Sequence, residues 1–192
     1  ILTAAGESTR MGTPKPLLEW RGATLLEYQV ASLREGGSGE VIVVLGHRAG
    51  EIQPLVDKTH ARVVVNTDYA TGRSSSVAVG VHELAADVET VLLLAVDQPR
   101  PPEIVAAVLG AHQSAGAVIT SPRYQGRGGH PLAFDAALRH ELESITEEGE
   151  GLRQVFRSHR AEVNEFDIDD PVVRWDLNTP EQYEEAKALY GK

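Results

Sequence analysis

The first eighteen residues of the chain read Ile1-Leu2-Thr3-Ala4-Ala5-Gly6-Glu7-Ser8-Thr9-Arg10-Met11-Gly12-Thr13-Pro14-Lys15-Pro16-Leu17-Leu18. An apolar segment runs here into a loop of small residues, and two cations, Arg10 and Lys15, follow. Small residues let a backbone come close to a ligand, and Gly6 and Gly12 can adopt positive φ where a turn demands it. Loop N–H groups can hold phosphate oxygens, whose charge the two cations neutralise. The stretch predicts a strand followed by a triphosphate-binding loop; a Gly-containing turn with two solvated cations is the alternative.

Two widespread phosphate-binding motifs do not occur in the chain. It contains no G-x-x-x-x-G-K-[ST], and no G-x-G-x-x-G follows the first strand. The segment Ala4-Ala5-Gly6-x-Ser8-x-Arg10-Met11-Gly12-x-x-Lys15-x-Leu17-Leu18 instead resembles the opening motif of the nucleotidyltransferases that act on the molybdenum cofactor, especially their cytidylyltransferase branch. The pattern of that family is close to LAAGxSxRMGxxKxLL, and Thr3 stands here where leucine is usual.

Length and composition restrict the possible functions. A chain of 192 residues with 42% hydrophobic residues is expected to form one domain with its own core. The absence of cysteine excludes disulfides and thiolate zinc sites, and the net charge of −10 argues against a nucleic-acid-binding surface. No apolar run approaches the roughly 18 residues of a membrane span, and no signal peptide is visible. We therefore expect a cytoplasmic enzyme without nucleic-acid or membrane partners.

The apolar pattern predicts alternating strands and helices up to residue 121. Strands are predicted at 1–5, 41–45, 62–66, 91–96 and 117–121, and helices at 24–34, 51–56, 74–82 and 102–113. This alternation predicts an open, mostly parallel, three-layer α/β/α Rossmann-like sheet, which is also the nucleotide-diphospho-sugar transferase fold that the resemblance implies. Ligands of such sheets bind outside the carboxyl ends of the strands, where the Gly6 loop, Gly46, Asn66 and Asp97 are all predicted to lie.

The pattern becomes less regular after residue 121. We predict a loop at 123–131, strands at 132–134 and 163–166, helices at 136–142 and 152–159, and a last helix capped by Thr179. Residues 1–121 would form a nucleotide-binding half, and 122–192 a half that binds the acceptor and completes the metal site.

Asp97 follows the most apolar strand and precedes Gln98. A carboxylate in this position can simply start a turn, or it can ligate Mg²⁺, which prefers one or two carboxylates together with substrate phosphates. The resemblance favours the metal, because the family has Asp-Gln-Pro here. The segment with Asp176 and Asn178 is similar to a late Asp-x-Asp-Thr-Pro segment of the family, so both residues become candidate ligands. Asn178 replaces the aspartate of the cytidylyltransferase branch and matches the guanylyltransferase branch.

Two further segments resemble family motifs. Asn66 and the serines that end at Ser76 would lie near the base or ribose, although three serines could also simply cap the helix at 74–82. Gly129 and His130 precede a strand and would approach the second substrate, although the histidine could merely order its loop. His112 fits a core position.

The resemblance implies a Mg²⁺-dependent nucleotidyltransferase that joins a nucleoside monophosphate to molybdenum-carrying molybdopterin and releases pyrophosphate. Arg10, Lys15 and Asp97 would be catalytic, with Lys15 exposed and meeting only substrate. The residues that would bind the nucleotide are Thr3, Ala4, Ala5, Gly6, Arg10, Lys15, Asn66 and Ser76. The resemblance favours CTP over GTP, because the cytidine branch carries Ala-Ala-Gly, as at Ala4-Ala5-Gly6, and the guanosine branch Ala-Gly-Gly; the methyl group of Ala5 also leaves less room for a purine. A recipient molybdoenzyme or its chaperone is a possible partner. A sugar-1-phosphate nucleotidyltransferase and a non-catalytic nucleotide or pterin carrier are the alternatives.

Overall fold

The computed structural model describes residues 1–190 and shows a mixed, mostly parallel sheet. Its strands are β1 (Leu2–Ala4), β4 (Ile42–Leu45), β5 (Arg62–Val65), β6 (Thr90–Ala95), β7 (Ile119–Tyr124), β8 (Arg127–Gly128), β9 (Leu132–Asp135) and β10 (Val163–Asp167). The order across the sheet is β10-β7-β9-β6-β1-β4-β5, with β8 paired to β7. A separate hairpin joins β2 (Glu19–Trp20) to β3 (Ala23–Thr24). The open, mostly parallel α/β sheet is therefore confirmed.

Seven α-helices lie within the described residues. They are α1 (Leu25–Glu35), α2 (Ala49–Lys58), α3 (Arg73–His82), α4 (Pro102–Ala115), α5 (Arg139–Glu143), α6 (Leu152–Ser158) and α7 (Pro180–Tyr190). A capping box in which Thr24 and Glu27 exchange hydrogen bonds starts α1. No helix within 1–190 combines the length and the apolar character that a bilayer span requires.

Helices cover both faces of the sheet, and the strand residues alternate between two cores. Val43 and Leu45 of β4 belong to a core with α1, α2, α4 and α7, while Ile42 and Val44 belong to a second core with α3, α5 and α6. Successive side chains of a strand point to opposite faces. A strand buried on both faces therefore appears in the sequence as an uninterrupted apolar run, as predicted for 41–45.

Two features of the second half differ from the sequence prediction. β9 runs antiparallel to both β6 and β7, so the centre of the sheet is not purely parallel. Part of the predicted loop at 123–131 is a hairpin, in which Tyr124 pairs with Arg127 across a turn. Gln125 (φ 49°) and Gly126 (φ 74°) form that turn in the left-handed region. Short polar strands of this kind lack the apolar alternation that marks a strand in a sequence.

The start of α3 also differs from the prediction. No serine side chain caps this helix, whose N-cap residue is Gly72. The Ser74 N–H donates instead to the carboxylate of Glu147 at 2.7 Å, across 73 residues of chain. A side chain added at Gly72 would collide with Glu147, so glycine permits the approach. Glu147 thus supplies the cap from another part of the fold.

Candidate active site

A cleft of ≈ 270 Å³ lies beyond the carboxyl ends of β1 and β6. Parallel strands end at the same edge of a sheet, so the loops that follow β1 and β6 meet there. The sequence-predicted site residues that line the cleft are Thr3, Ala4, Ala5, Gly6, Arg10, Lys15, Ser76, Asp97 and Asn178. Four predicted residues do not line it: Asn66, Gly129, His130 and Asp176.

The opening loop, residues 5–15, is held by local contacts. Ser8 (φ 56°) and Gly12 (φ 69°) take left-handed backbone conformations on either side of the single turn Thr9–Met11. The Lys15 N–H donates to Ser8 Oγ at 3.0 Å and closes the loop. Gly12 has the positive φ expected of it, but Gly6 does not, and Ser8 bends the chain in its place. No atom lies within 4 Å of where a Gly6 side chain would begin, so its backbone faces open space.

Lys15 joins the opening loop to two distant segments. Its ammonium donates to Asp97 Oδ2 at 2.6 Å and to Asn178 Oδ1 at 2.9 Å. The expectation of an exposed lysine that meets only substrate was wrong, since the Lys15 side chain is only 13% exposed. One cationic nitrogen contacts both Asp97 and Asn178, two of the three candidate metal ligands. A carboxylate and an amide oxygen therefore converge on one point of the cleft.

Asp176 lies apart from that point. Its carboxylate accepts a hydrogen bond from Gln98 Nε2 at 2.8 Å. Within residues 1–190 no three His, Cys, Asp or Glu side chains are grouped closely enough to hold a metal ion. The oxygen donors at the Lys15 position are thus Asp97 and Asn178, and Asp176 belongs to a neighbouring group of polar side chains.

Asn66 is buried, and its amide is used within the protein. Nδ2 donates to Ser75 Oγ at 2.9 Å and to Ser76 Oγ at 3.0 Å, while Oδ1 accepts from the Asp68 N–H. The expectation that Asn66 reaches the base or ribose is therefore replaced by an indirect role. It fixes Ser76, which does line the cleft.

Gly129 and His130 lie beside the cleft, where they serve the protein's own packing. A side chain at Gly129 would meet the Val173 carbonyl oxygen at 2.4 Å, so the close approach is to the protein rather than to a substrate. The His130 N–H donates to the same carbonyl at 2.8 Å. Burial, followed by the charge of Arg100, lowers the pKa of His130 to about 4, so its imidazole is neutral at pH 7.

Arg100, which the sequence reasoning missed, organises this second region. It is fully buried and donates to four backbone carbonyls, at Pro99, His130, Val173 and Trp175, over 2.9–3.0 Å. Burial lowers its pKa only to about 10, so the guanidinium stays charged. It ties the loop before β9 to the segment that carries Asp176 and Asn178. Arg100 directly follows Asp97-Gln98-Pro99 in the sequence, but no neighbouring residue indicates that this arginine is buried.

Three other residues line the cleft although their sequence context indicated such a position only weakly or not at all. Ser8 belongs to the opening motif, and Arg73 is the first residue of α3. Tyr69 was not singled out, although it packs edge-on against His47 with ring centroids 5.9 Å apart. A side chain at Gly46 would meet both Tyr69 and Ala5 within 2.8 Å, so glycine is required where these residues converge.

A glycine-bearing loop after the first strand, with a lysine held between a carboxylate and an amide oxygen, defines an enzyme of the nucleotide-binding α/β class. The chain belongs to the MobA-like NTP transferase domain family, whose model matches residues 1–163. The resemblance seen in the opening motif is thereby confirmed, and the protein is a nucleotidyltransferase by family. Enzymes of this family typically depend on a divalent metal.

Three relatives are informative. Nicotine blue oxidoreductase of Paenarthrobacter nicotinovorans is 35% identical over 95% of this chain and 92% of its own. Molybdenum cofactor cytidylyltransferase of Escherichia coli is 27% identical over 99% of this chain and 95% of its own. The structure of Rv0371c from Mycobacterium tuberculosis in complex with manganese superposes with a TM-score of 0.78 at 26% identity, covering 96% of this chain and 94% of the other.

Proposed function

We propose that the protein transfers a nucleoside monophosphate from CTP to a phosphorylated acceptor, molybdenum-carrying molybdopterin, in a Mg²⁺-dependent reaction that releases pyrophosphate. The observation that carries this proposal is the meeting of Lys15 with Asp97 and Asn178 at the opening loop. A lysine beside two oxygen donors supports the proposal, because phosphoryl transfer depends on positioning and on neutralisation of phosphate charge.

The opening loop is assigned to the triphosphate. Arg10 is exposed and forms no ion pair within residues 1–190, so its guanidinium is available to phosphate oxygens. Lys15 lies deeper and can move from Asp97 to a phosphate oxygen when one arrives. Ala5 is 6% exposed and lines the cleft beside Gly46. Its methyl group narrows the space for a base, which supports a pyrimidine nucleotide.

The residues at the Lys15 position fit a divalent cation. A carboxylate oxygen of Asp97 and the amide oxygen of Asn178 already converge on one positive charge. Hard oxygen donors of this kind suit Mg²⁺, which in proteins is usually held by one or two carboxylates and substrate phosphates. Asp97 and Asn178 would hold the metal, which when bound supplies charge neutralisation for the reacting phosphates. The manganese complex of Rv0371c supports a divalent metal in this fold.

The chain itself contributes position and charge. An acceptor phosphate oxygen forms a bond to the α-phosphorus while the α–β phosphoanhydride bond breaks and pyrophosphate leaves. The acceptor phosphate is already anionic, so no protein nucleophile is needed, and Arg10 and Lys15 neutralise charge on the triphosphate. We assign residues 1–121 to the nucleotide and 122–190 to the acceptor, whose phosphate would approach past His130.

The alternatives predict different products. A sugar-1-phosphate acceptor would give a nucleoside diphosphate sugar, and a carrier would bind nucleotide or pterin without turnover. The relative named nicotine blue oxidoreductase makes a redox activity the third alternative. The family to which the chain belongs favours nucleotidyl transfer, whereas the two cations alone would suit the phosphates of a triphosphate or of a nicotinamide cofactor.

Pyrophosphate release is the test. Purified protein with Mg²⁺ and molybdenum-loaded molybdopterin is expected to release pyrophosphate from CTP faster than from GTP. Sugar 1-phosphates serve as alternative acceptors, and oxidation of a reduced nicotinamide cofactor reports the redox alternative. Binding of CTP without pyrophosphate from any acceptor would identify a carrier and refute the proposed transfer.

A further inference from the structure

The side-chain amide of Gln98 has only one possible orientation. Its Oε1 faces the Ala95 N–H at 3.2 Å, and its Nε2 faces Asp176 Oδ1 at 2.8 Å. A backbone N–H can only donate and an ionised carboxylate can only accept, so two independent partners require the amide oxygen at Ala95 and the NH₂ group at Asp176. Gln98 is 6% exposed, so solvent does not offer it other partners.

This orientation determines where His130 carries its proton. Gln98 Nε2 also lies 3.1 Å from His130 Nδ1. The NH₂ group has two hydrogens and no lone pair to offer, so it donates one to Asp176 and the other to His130. His130 Nδ1 must therefore accept, and the ring proton resides on Nε2. Burial and the neighbouring charge of Arg100 keep the ring neutral by lowering its pKa.

The protonated Nε2 is left for a ligand. Within residues 1–190 His130 Nε2 forms no hydrogen bond. The buried side-chain nitrogen and oxygen atoms that lack a partner there are Trp20 Nε1 and Arg123 Nε, so His130 Nε2 is not among the fully buried atoms. His130 is only partly buried, and its Nε2 atom is therefore in contact with solvent. Gln98, the partner of His130, directly follows Asp97, which lines the cleft, so His130 lies beside the cleft.

We propose that Gln98 is a positioning residue that locks His130 as the Nε2–H tautomer, and that His130 thereby presents a neutral hydrogen-bond donor to a phosphate oxygen of the acceptor substrate. The proposal deepens the proposed function and depends on it for the identity of the acceptor. A neutral donor binds a phosphate oxygen without adding a charge near Arg100. It also means that His130 acts as a donor and not as a general base, because its one unprotonated nitrogen is occupied by Gln98.

The tautomer is tested directly by ¹⁵N NMR of the histidine side chains at pH 7.5. A His130→Asn variant assigns the His130 signals, and His112, whose Nδ1 lies 3.0 Å from Thr120 Oγ1, is an internal reference that should not change. We expect a pyridine-like Nδ1 and a pyrrole-like Nε2 in the wild type. In Gln98→Met no group donates to Nδ1, so the second tautomer becomes populated and the Nδ1 signal should shift towards the pyrrole-like value. A protonated Nδ1 in the wild type would refute the proposal that Gln98 fixes the Nε2–H tautomer.

The contact with the acceptor is tested with inorganic phosphate as the probe. Phosphate should shift the His130 Nε2 signal of the wild type, both alone and with CTP and Mg²⁺ present, and the apparent affinity should fall in the neutral variant Gln98→Met, in which the tautomer is no longer fixed. CTP affinity should change less than about twofold, since the opening loop is intact. An unchanged His130 signal at saturating phosphate would overturn the contact. Because neither readout needs turnover, failure of the proposed transfer would be recognised separately by the absence of pyrophosphate.

Discussion

The loop that lines the cleft and the group of side chains beside it are built in different ways, and we call them the loop wall and the assembled wall. The loop wall, residues 3–16, is one continuous segment whose shape comes from contacts a few residues apart, such as the Lys15 N–H to Ser8 Oγ. The assembled wall consists of Gln98, Arg100, His130 and residues 173–178, which are joined by hydrogen bonds across 30–78 residues of chain. Lys15 connects the two walls through Asp97 and Asn178. The loop wall should keep its shape when residues elsewhere in the chain are substituted, whereas the assembled wall depends on Arg100.

The largest effect is expected where the two walls meet. Asp97→Ala should lower kcat by about 100- to 1000-fold, because it removes the carboxylate at the convergence point. CTP affinity should fall much less, since the loop wall remains. Steady-state pyrophosphate release and CTP binding measure the two quantities. Asp87→Ala, at an exposed carboxylate, is the matched control, and an Asp97→Ala enzyme with normal turnover would remove this residue from the mechanism.

The assembled wall should collapse when its centre is removed. Arg100→Met keeps much of the side-chain volume but removes the side-chain donor of four backbone carbonyls, of which that of Val173 keeps the His130 N–H as a second donor. The free energy of unfolding should fall by about 3 kcal/mol, near the upper end for single substitutions. Urea unfolding measures the change.

Arg153→Met, at an exposed position, is the control and should change stability by less than about 0.5 kcal/mol. CTP affinity of Arg100→Met below its unfolding transition should stay close to that of the wild type, because the loop wall is local. Loss of nucleotide binding in a folded Arg100→Met protein would show that the two walls are not independent.

The sequence predicted the loop wall far better than the assembled wall. The opening motif, the apolar run at 41–45 and Asp97 carry signals within a few residues, because backbone shape and strand burial are local properties. The Glu147 cap of α3 and most contacts of the buried Arg100 depend on partners 30–75 residues away in the chain. The hairpin after β7 is local, but its short polar strands lack the apolar alternation that marks a strand. A single sequence shows which residues could accept or donate, but not which distant partner each one meets.

Lys15→Ala tests the connection between the walls. A charge-assisted contact contributes about 1.5–3 kcal/mol, so kcat/KM should fall about tenfold or more. Because Lys15 also neutralises Asp97, its removal has a second consequence: without nucleotide, the variant should bind Mn²⁺ more tightly than the wild type, measured by the paramagnetic signal of unbound Mn²⁺. Lys58→Ala, at an exposed lysine, should change neither quantity. Weaker Mn²⁺ binding in Lys15→Ala would contradict the assignment of this position to a metal.

A smaller effect is expected at the base of the loop wall. Ala5→Gly removes one methyl group beside Gly46, so the ratio of kcat/KM for GTP to that for CTP should rise by about tenfold, the lower end of what one methylene group contributes to discrimination. The ratio is the informative quantity, because added backbone freedom at a glycine affects both nucleotides alike. A wild-type enzyme that prefers GTP would show that Asn178, and not Ala5, indicates the nucleotide.

The smallest expected effect is on the pH dependence of the free energy of unfolding, and it arises at His159, outside both walls. Glu141 and Glu162 hydrogen-bond to His159 and raise its pKa above the ordinary 6.5. The stabilisation is therefore complete below pH 6.5 and is lost as the pH rises through the raised pKa. The difference in free energy of unfolding between wild type and His159→Gln should be larger at pH 6 than at pH 8.5. Burial lowers the pKa of His112 and His130, which opposes this trend, but both residues are present in the two proteins and cancel in the difference. His140→Gln, at a side chain that is 96% exposed, should show a smaller dependence on pH. If the difference in free energy of unfolding between wild type and His159→Gln instead grew towards pH 8.5, Glu141 and Glu162 would not favour protonated His159.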